Sequence, residues 1–226
     1  FPEARPLSML IPPKGNVDSV DLNQQDPVVL VHGVSGRYPS WGGVQEVRDI
    51  EQRVLDTAEA KIPRYRKKGY ISPRERLNLL LDPGAPFLEL YSLAGYMQGE
   101  DTDGSSAGGT CIAGIGYVQG TRCAIYVDDY LTKGGSISRF GAEKRMNMQQ
   151  IALNKKMPLI VLAQSAGGDL REAGDMFGNS GAFFANQARL SAAGIPQITV
   201  VHGSATAGGA YQPGLSDYIV MIRRQS

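Results

Sequence analysis

Apolar residues recur at near-helical spacing from Val44 to Ile62, namely Val44, Val47, Ile50, Val54, Leu55, Ala58 and Ile62. Glu46, Arg48, Asp49, Glu51 and Arg53 fall between them. This spacing predicts an amphipathic helix of several turns. Ser72-Pro73-Arg74-Glu75 reads as a capping box with proline at the first helical position. It opens a short helix over Arg74 to Leu81, which Asp82-Pro83-Gly84 stops. The period then changes to two. Phe87 to Tyr91 alternates as a strand, and Cys111 to Asp128 reads as a β-hairpin turning at Gln119-Gly120. A helix is predicted from about Ile137 to Lys156, with Ile137, Phe140, Lys144, Met148, Ile151 and Ala152 on or beside one face. Strand Leu159 to Ala163, a helix from about Met176 to Ala193, strand Gln197 to Val201 and strand Tyr218 to Ile222 follow. A hairpin succeeded by alternating strands and helices predicts a single α/β domain with right-handed crossovers.

From Pro158 onward one unit occurs twice. Strand 159–163 ends in Gln164-Ser165-Ala166-Gly167-Gly168, and strand 197–201 ends in His202-Gly203-Ser204-Ala205-Thr206-Ala207-Gly208-Gly209. Each turn of small residues leads into a helix. Small residues let backbone N–H groups approach a ligand closely, and a helix N-terminus adds partial positive charge. Such a turn is one way to build an oxyanion hole, and it is equally a way to join a strand to a helix in tight packing.

Composition narrows the function classes. Of 226 residues 42% are apolar, enough for a sizeable core, and the net charge of +1 argues against a nucleic-acid partner. No apolar run approaches the roughly 20 residues of a membrane span. Two cysteines suggest a reducing compartment; the hairpin register sets Cys111 opposite Asp128 and Cys123 opposite Gly116, so they should not pair. Residues 1–43 read as an extended segment with one short strand, Pro27 to Val31, and His32-Gly33 after it. No G-x-S-x-G elbow accompanies that histidine. Gly114-Ile115-Gly116 lacks the spacing and the helix of a dinucleotide fingerprint. Lys61, Arg64, Arg66, Lys67 and Lys68 read either as a solvated helix end or as a site for a phosphate-bearing ligand. No metal site is read.

Longer motifs carry a resemblance. Pro73-Arg74-Glu75-Arg76-Leu77, Leu81 to Leu90, Ala94-Gly95-Tyr96, Gly108-Gly109-Thr110, Lys133-Gly134-Gly135-Ser136, Gly194 to Ile198 and Thr206 to Tyr211 stand in one order. Over roughly Ala58 to the end they resemble the carboxyltransferase subunit of biotin-dependent acyl-CoA carboxylases, closest to the methylcrotonyl-CoA and geranyl-CoA branch. The resemblance implies a crotonase-like spiral of ββα units. Residues 44–226 would form the N-terminal, CoA-binding domain, with the C-terminal carboxyltransferase domain absent from this chain. The family's first oxyanion turn reads Asp-Ser-Gly-Gly-Ala. The gapless match is Gln164-Ser165-Ala166-Gly167-Gly168, with Gln for Asp and Ala for the first Gly. Ala166 serves there if its backbone is ordinary; alternatively Gly167 and Gly168 form the pair.

The implied activity is carboxyl transfer from carboxybiotin to an acyl-CoA through a thioester enolate. The catalytic candidates are Ala166, Gly167 and Gly168; the substrate-binding candidates are Gly134, Gly135, Ser165, Ala207, Gly208 and Gly209. No His–carboxylate pair offers a general base, and the resemblance implies that biotin itself takes the proton. The implied partners are a biotin carboxylase and biotin carboxyl carrier subunit, and further copies of the subunit, commonly in a hexamer. The implied location is the bacterial cytoplasm or the mitochondrial matrix. Two other classes compete. A non-catalytic scaffold subunit is favoured by the departures at Gln164 and Ala166. A ClpP-like serine protease needs a serine at the second helix start and a downstream histidine; Ala207 and Gly208 stand at that start, and the two histidines are His32 and His202. For assembly, Tyr91 to Met97 has an interface-like composition, and at least one of Phe183 and Phe184 is expected to be substantially exposed.

Overall fold

The computed structural model describes residues 44–99, 101–169, 171 and 173–226, with side chains described from 46 onward apart from 172–180. The readings of Pro27 to Val31 and of His32-Gly33 lie outside these residues. The amphipathic helix is α1, Val44–Glu59, continued by the short α2, Ile62–Arg66. In α3, Pro73–Leu80, the capping box forms in full: Glu75 N–H donates to Ser72 Oγ, and the Glu75 carboxylate accepts from Ser72 N–H. The predicted strand 87–91 shrinks to β1, Leu88–Glu89, because β1 pairs with the hairpin only at Ile115 and Gly114.

The hairpin is β2, Cys111–Val118, and β3, Thr121–Asp128. Its register sets Cys111 against Asp128 and Gly116 against Cys123, as the two-residue turn requires, and both thiols are free and buried. Three units then follow one another. β4 (Ser136–Ile137) and α4 (Arg139–Lys155) follow β3; β5 (Leu159–Ser165), β6 (Gly167–Gly168) and α5 (Ala173–Ala192) come next. β7 (Gln197–Ala205), α6 (Gly208–Gly214) and β8 (Tyr218–Met221) complete the order. The large sheet runs β1-β2-β3-β5-β7-β8, antiparallel across the first three strands and parallel across the last four. β4 and β6 pair in parallel as a second, two-stranded sheet.

β3 shows why this order is stable. Cys123, Ile125 and Val127 face one side with Leu77, Leu81, Phe87, Ile160 and Leu162. Ala124 and Tyr126 face the other with Met148, Ala152, Leu159, Val161 and Leu190. The period-two alternation therefore feeds two apolar layers, one under α3 and one under α4 and α5. α4 is less amphipathic than its apolar spacing suggests. Its buried face carries Gly141, Lys144, Arg145, Met148, Gln149 and Ala152, so three polar side chains go inside. Met148, on the face the spacing gave it, is fully buried and fills the core.

Candidate active site

The two small-residue turns meet. β5 runs two residues beyond its predicted end, through Ser165, and β7 four residues beyond, through Ala205. Thr206 N–H donates to the Ser165 carbonyl at 3.1 Å. A Cβ on Gly209 would lie 2.9 Å from Ser165 Oγ, and one on Gly167 would lie 3.3 Å from the Thr206 carbonyl oxygen. Glycine at both places therefore permits a close approach that a side chain would crowd. The loop Lys133–Gly135 joins the cluster, since Ala166 N–H donates to the Gly135 carbonyl at 3.0 Å. Thus Gly134-Gly135, Ser165 to Gly168 and Ala207 to Gly209, remote in sequence, share one corner of the fold.

The first turn differs from its expected form. Gly167 and Gly168 are a strand, β6, paired with Ser136 and Ile137, and the helix begins only at Ala173. The Gly135 carbonyl and the second sheet draw the chain sideways before it enters α5. Within the turn Gly167 N–H donates to Ser165 Oγ at 3.0 Å. Ala166 keeps φ negative, and the left-handed conformation falls on Gly167, at φ +93°. In the second turn Ala207 adopts φ 49° and ψ −122° as it enters α6. That region disfavours a Cβ, and such strain is concentrated at functional sites. Gly208 is exposed, and a Cβ there would meet nothing within 4 Å.

Buried polar groups anchor the corner. Gln164 is 2% exposed; its N–H donates to Asp128 Oδ2 at 3.0 Å, and Asp128 Oδ1 accepts from Arg145 Nη2 at 2.8 Å. The Gln164 side-chain oxygen accepts from both Tyr65 Oη and Arg76 Nη2. Arg76 Nη2 also donates to Tyr65 Oη at 2.6 Å. Burial pushes the Tyr65 phenol up to about 12, so it keeps its proton at neutral pH. His202, beside this group, is lowered to about 4 by burial and then by Arg76, so its imidazole is neutral. α6 is tied down separately: Tyr126 Oη donates to Gln212 Oε1 at 2.7 Å, and Gln187 Nε2 donates to the Gln212 carbonyl at 3.2 Å. None of these anchors was visible in the sequence. Tyr65, Arg76 and Asp128 lie on separate elements, and no spacing links them.

Other expectations fall elsewhere. Of the basic residues after α1, Lys61 Nζ donates to the Leu131 carbonyl at 3.0 Å and Arg66 pairs with Glu75; Arg64, Lys67 and Lys68 are exposed. Phe183 and Phe184 are both half-buried, so the substantial exposure expected of at least one of them is not found. They meet edge to face, and Phe184 packs on Tyr211, itself 56% exposed. A cavity of about 340 Å³ lies between α1, α3 and the start of β2, lined by Val54, Leu55, Arg74, Glu89, Thr110 and Lys144 among others. It contains none of the turn residues.

A spiral of strand–strand–helix units, with glycine turns gathered at one corner, defines a crotonase-like α/β protein. The chain belongs to the carboxyl transferase family: the model of the carboxyl transferase domain matches residues 64–226. A probable methylcrotonoyl-CoA carboxylase beta chain of Drosophila melanogaster is 41% identical over 187 residues, 80% of this chain and 32% of that protein. The biotin-dependent 3-methylcrotonyl-coenzyme A carboxylase beta1 subunit of Mycobacterium tuberculosis is 43% identical over 166 residues, 72% of this chain and 31% of that protein. Among solved structures, the geranyl-CoA carboxylase beta subunit of P. aeruginosa is 53% identical with a TM-score of 0.76, over 81% of this chain and 34% of that one. The hexameric transcarboxylase 12S core, solved with methylmalonyl-coenzyme A bound, is 25% identical with a TM-score of 0.71, over 82% and 36%. The chain spans about a third of the length of these relatives.

Proposed function

We propose that this chain is the acyl-CoA-binding part of a carboxyltransferase that moves a carboxyl group from carboxybiotin to the carbon α, or vinylogous γ, to a thioester. Removing a proton from that carbon places negative charge on the thioester oxygen. Two preorganised backbone N–H groups stabilise that charge by roughly 3 kcal/mol each. Gly167 and Gly168 are the favoured pair. Ala166 N–H is engaged by a backbone carbonyl, that of Gly135, whereas Gly167 N–H is engaged by a side-chain hydroxyl, that of Ser165. The convergence of the three small-residue segments on one corner carries this reading.

The residues present fit an acyl-CoA. Exposed, unobstructed backbone at Gly134 and Gly208 lets the thioester approach the turns, and Ser165, Gly135, Ala207 and Gly209 shape the floor. Biotin, when bound, supplies the carboxyl group. Its carrier and carboxylase subunits are the proposed partners, and residues 44–226 are proposed to form one domain. The oligomer is proposed to be a hexamer. The exposed Met97, Tyr211 and Tyr218 support a covered surface in that assembly. The buried free thiols Cys111 and Cys123 support a reducing compartment, bacterial cytoplasm or mitochondrial matrix. No helix among the described residues is long and apolar enough to cross a membrane.

The test is bicarbonate- and ATP-dependent carboxylation by the full-length protein with a biotinylated partner, over a panel including 3-methylcrotonyl-CoA, geranyl-CoA and propionyl-CoA. Labelled carboxyl incorporation into at least one is expected. Tight binding of acyl-CoA with no carboxylation of any would instead support the scaffold reading.

A further inference from the structure

The parallel ladder between β5 and β7 is regular as far as Ala163 opposite Val201. The next bridge pairs Ser165 with Ala205. One residue, Gln164, therefore stands across from three, His202, Gly203 and Ser204. This bulge re-aims both strands. Just past it Ser165 lies beside Thr206 and Gly209, where the two turns meet. Bulges serve this purpose beside active sites.

Gln164 occupies the bulge with its side chain as well as its backbone. A Cβ on Gly203 would lie 2.6 Å from Gln164 Nε2, so the amide crosses the space that a side chain on Gly203 would fill. Beyond Gly203 the amide oxygen ends in the closed triangle with Tyr65 Oη and Arg76 Nη2. Arg76 is 2% exposed, and its Nε and Nη1 find no protein acceptor. A buried guanidinium so poorly supplied with acceptors is costly, and Gln164 and Tyr65 are the acceptors it has. That cost opposes withdrawal of the Gln164 side chain from the bulge.

We infer that Arg76 and Tyr65 are positioning residues for the transfer reaction, acting through Gln164 to hold the bulge that brings the two glycine turns together. The inference rests on the carboxyl-transfer reading for its kinetic consequence but not for its structural one. Both residues hydrogen-bond the Gln164 side chain at the head of the first turn; each sets its orientation, and Ser165 to Gly168 follow from it. Since oxyanion donors act only within a few tenths of an ångström of their target, misplacement lowers kcat more than it raises KM.

The experiment compares Gln164→Met, Gln164→Glu and Tyr65→Phe in the full-length protein. Amide hydrogen exchange is read at 165–168 and 206–209, and kcat and KM with 3-methylcrotonyl-CoA in the presence of the biotinylated partner. Gln164→Met keeps the length and loses the acceptor. It is expected to speed exchange in both turns together and to lower kcat roughly tenfold to a hundredfold with KM within about twofold. Gln164→Glu keeps the acceptor for Arg76 and Tyr65 and is expected to stay within about threefold of wild type in kcat. Should Gln164→Met not fold, Tyr65→Phe gives the same signature at smaller amplitude. Unchanged exchange and kcat in Gln164→Met, or in Tyr65→Phe if that variant alone folds, overturns the inference. So does a rise in KM at constant kcat, or a Gln164→Glu as impaired as Gln164→Met. If wild-type protein carboxylates nothing, the functional reading fails, and exchange at the two turns still decides the positioning role.

Discussion

Gly208 and Gly209 are adjacent, yet alanine should act oppositely at the two positions. A Cβ at Gly208 meets nothing within 4 Å, and its φ is outside the left-handed region. Gly208→Ala should therefore be neutral or stabilise by up to about 1 kcal/mol, through the lower entropy of the unfolded chain. A Cβ at Gly209 would stand 2.9 Å from Ser165 Oγ and 3.0 Å from Ser165 Cβ. Ser165 is 1% exposed and has little room to retreat. Overpacking of this kind costs about 1–3 kcal/mol. Displacing Ser165 also weakens its bond to Gly167 N–H, about 1 kcal/mol more. The gain in helix propensity returns about 1 kcal/mol. The net expectation for Gly209→Ala is a destabilisation of roughly 1–3 kcal/mol. Urea unfolding of the full-length variants measures both, with an unchanged m-value as the condition for comparison. If Gly209→Ala is as stable as Gly208→Ala, the close contact between the turns does not exist, and the shared corner loses its main support.

Arg145→Met strands Asp128 as a buried, unpaired carboxylate and should cost about 3–5 kcal/mol in the same assay. Adding Asp128→Asn should recover part of that loss; simple additivity of the two changes would show that the pair is not coupled. His202 gives a pH signature. Its folded value, about 4, lies below the ordinary 6.5, so the unfolded chain takes up the proton first. Its contribution to stability is complete above about pH 6.5 and is lost as pH falls toward about 4. His202→Gln should lack that part of the acid decline, and coincident profiles for variant and wild type would refute the assignment.

Local physics was enough for much of this protein. The capping box at Ser72, the hairpin at Gln119-Gly120 with both cysteines unpaired, and the amphipathic run from Val44 each depend on neighbours a few residues away. These elements could be read in order along the chain. So could the two small-residue turns, because an apolar strand followed by a glycine cluster is a local pattern. What the turns become is set at long range. Gly167 and Gly168 are a strand because Ser136 and Ile137 lie beside them, and β7 runs to Ala205 because Ser165 offers it a partner. The strand predicted at 87–91 shortened for the converse reason: β1 meets β2 over two residues only. Lys144 is buried on the face of α4 where the spacing put it, and Arg145 and Gln149, which the spacing did not place, go inside with it; the Gly108 and Cys111 carbonyls receive Lys144, and Asp128 receives Arg145. The anchoring of Gln164 by Tyr65 and Arg76 belongs to this second kind. A hydrogen bond between residues 99 or 88 positions apart leaves no periodicity in a sequence, and only the packing of α2 and α3 against the end of β5 brings its donors and acceptor together.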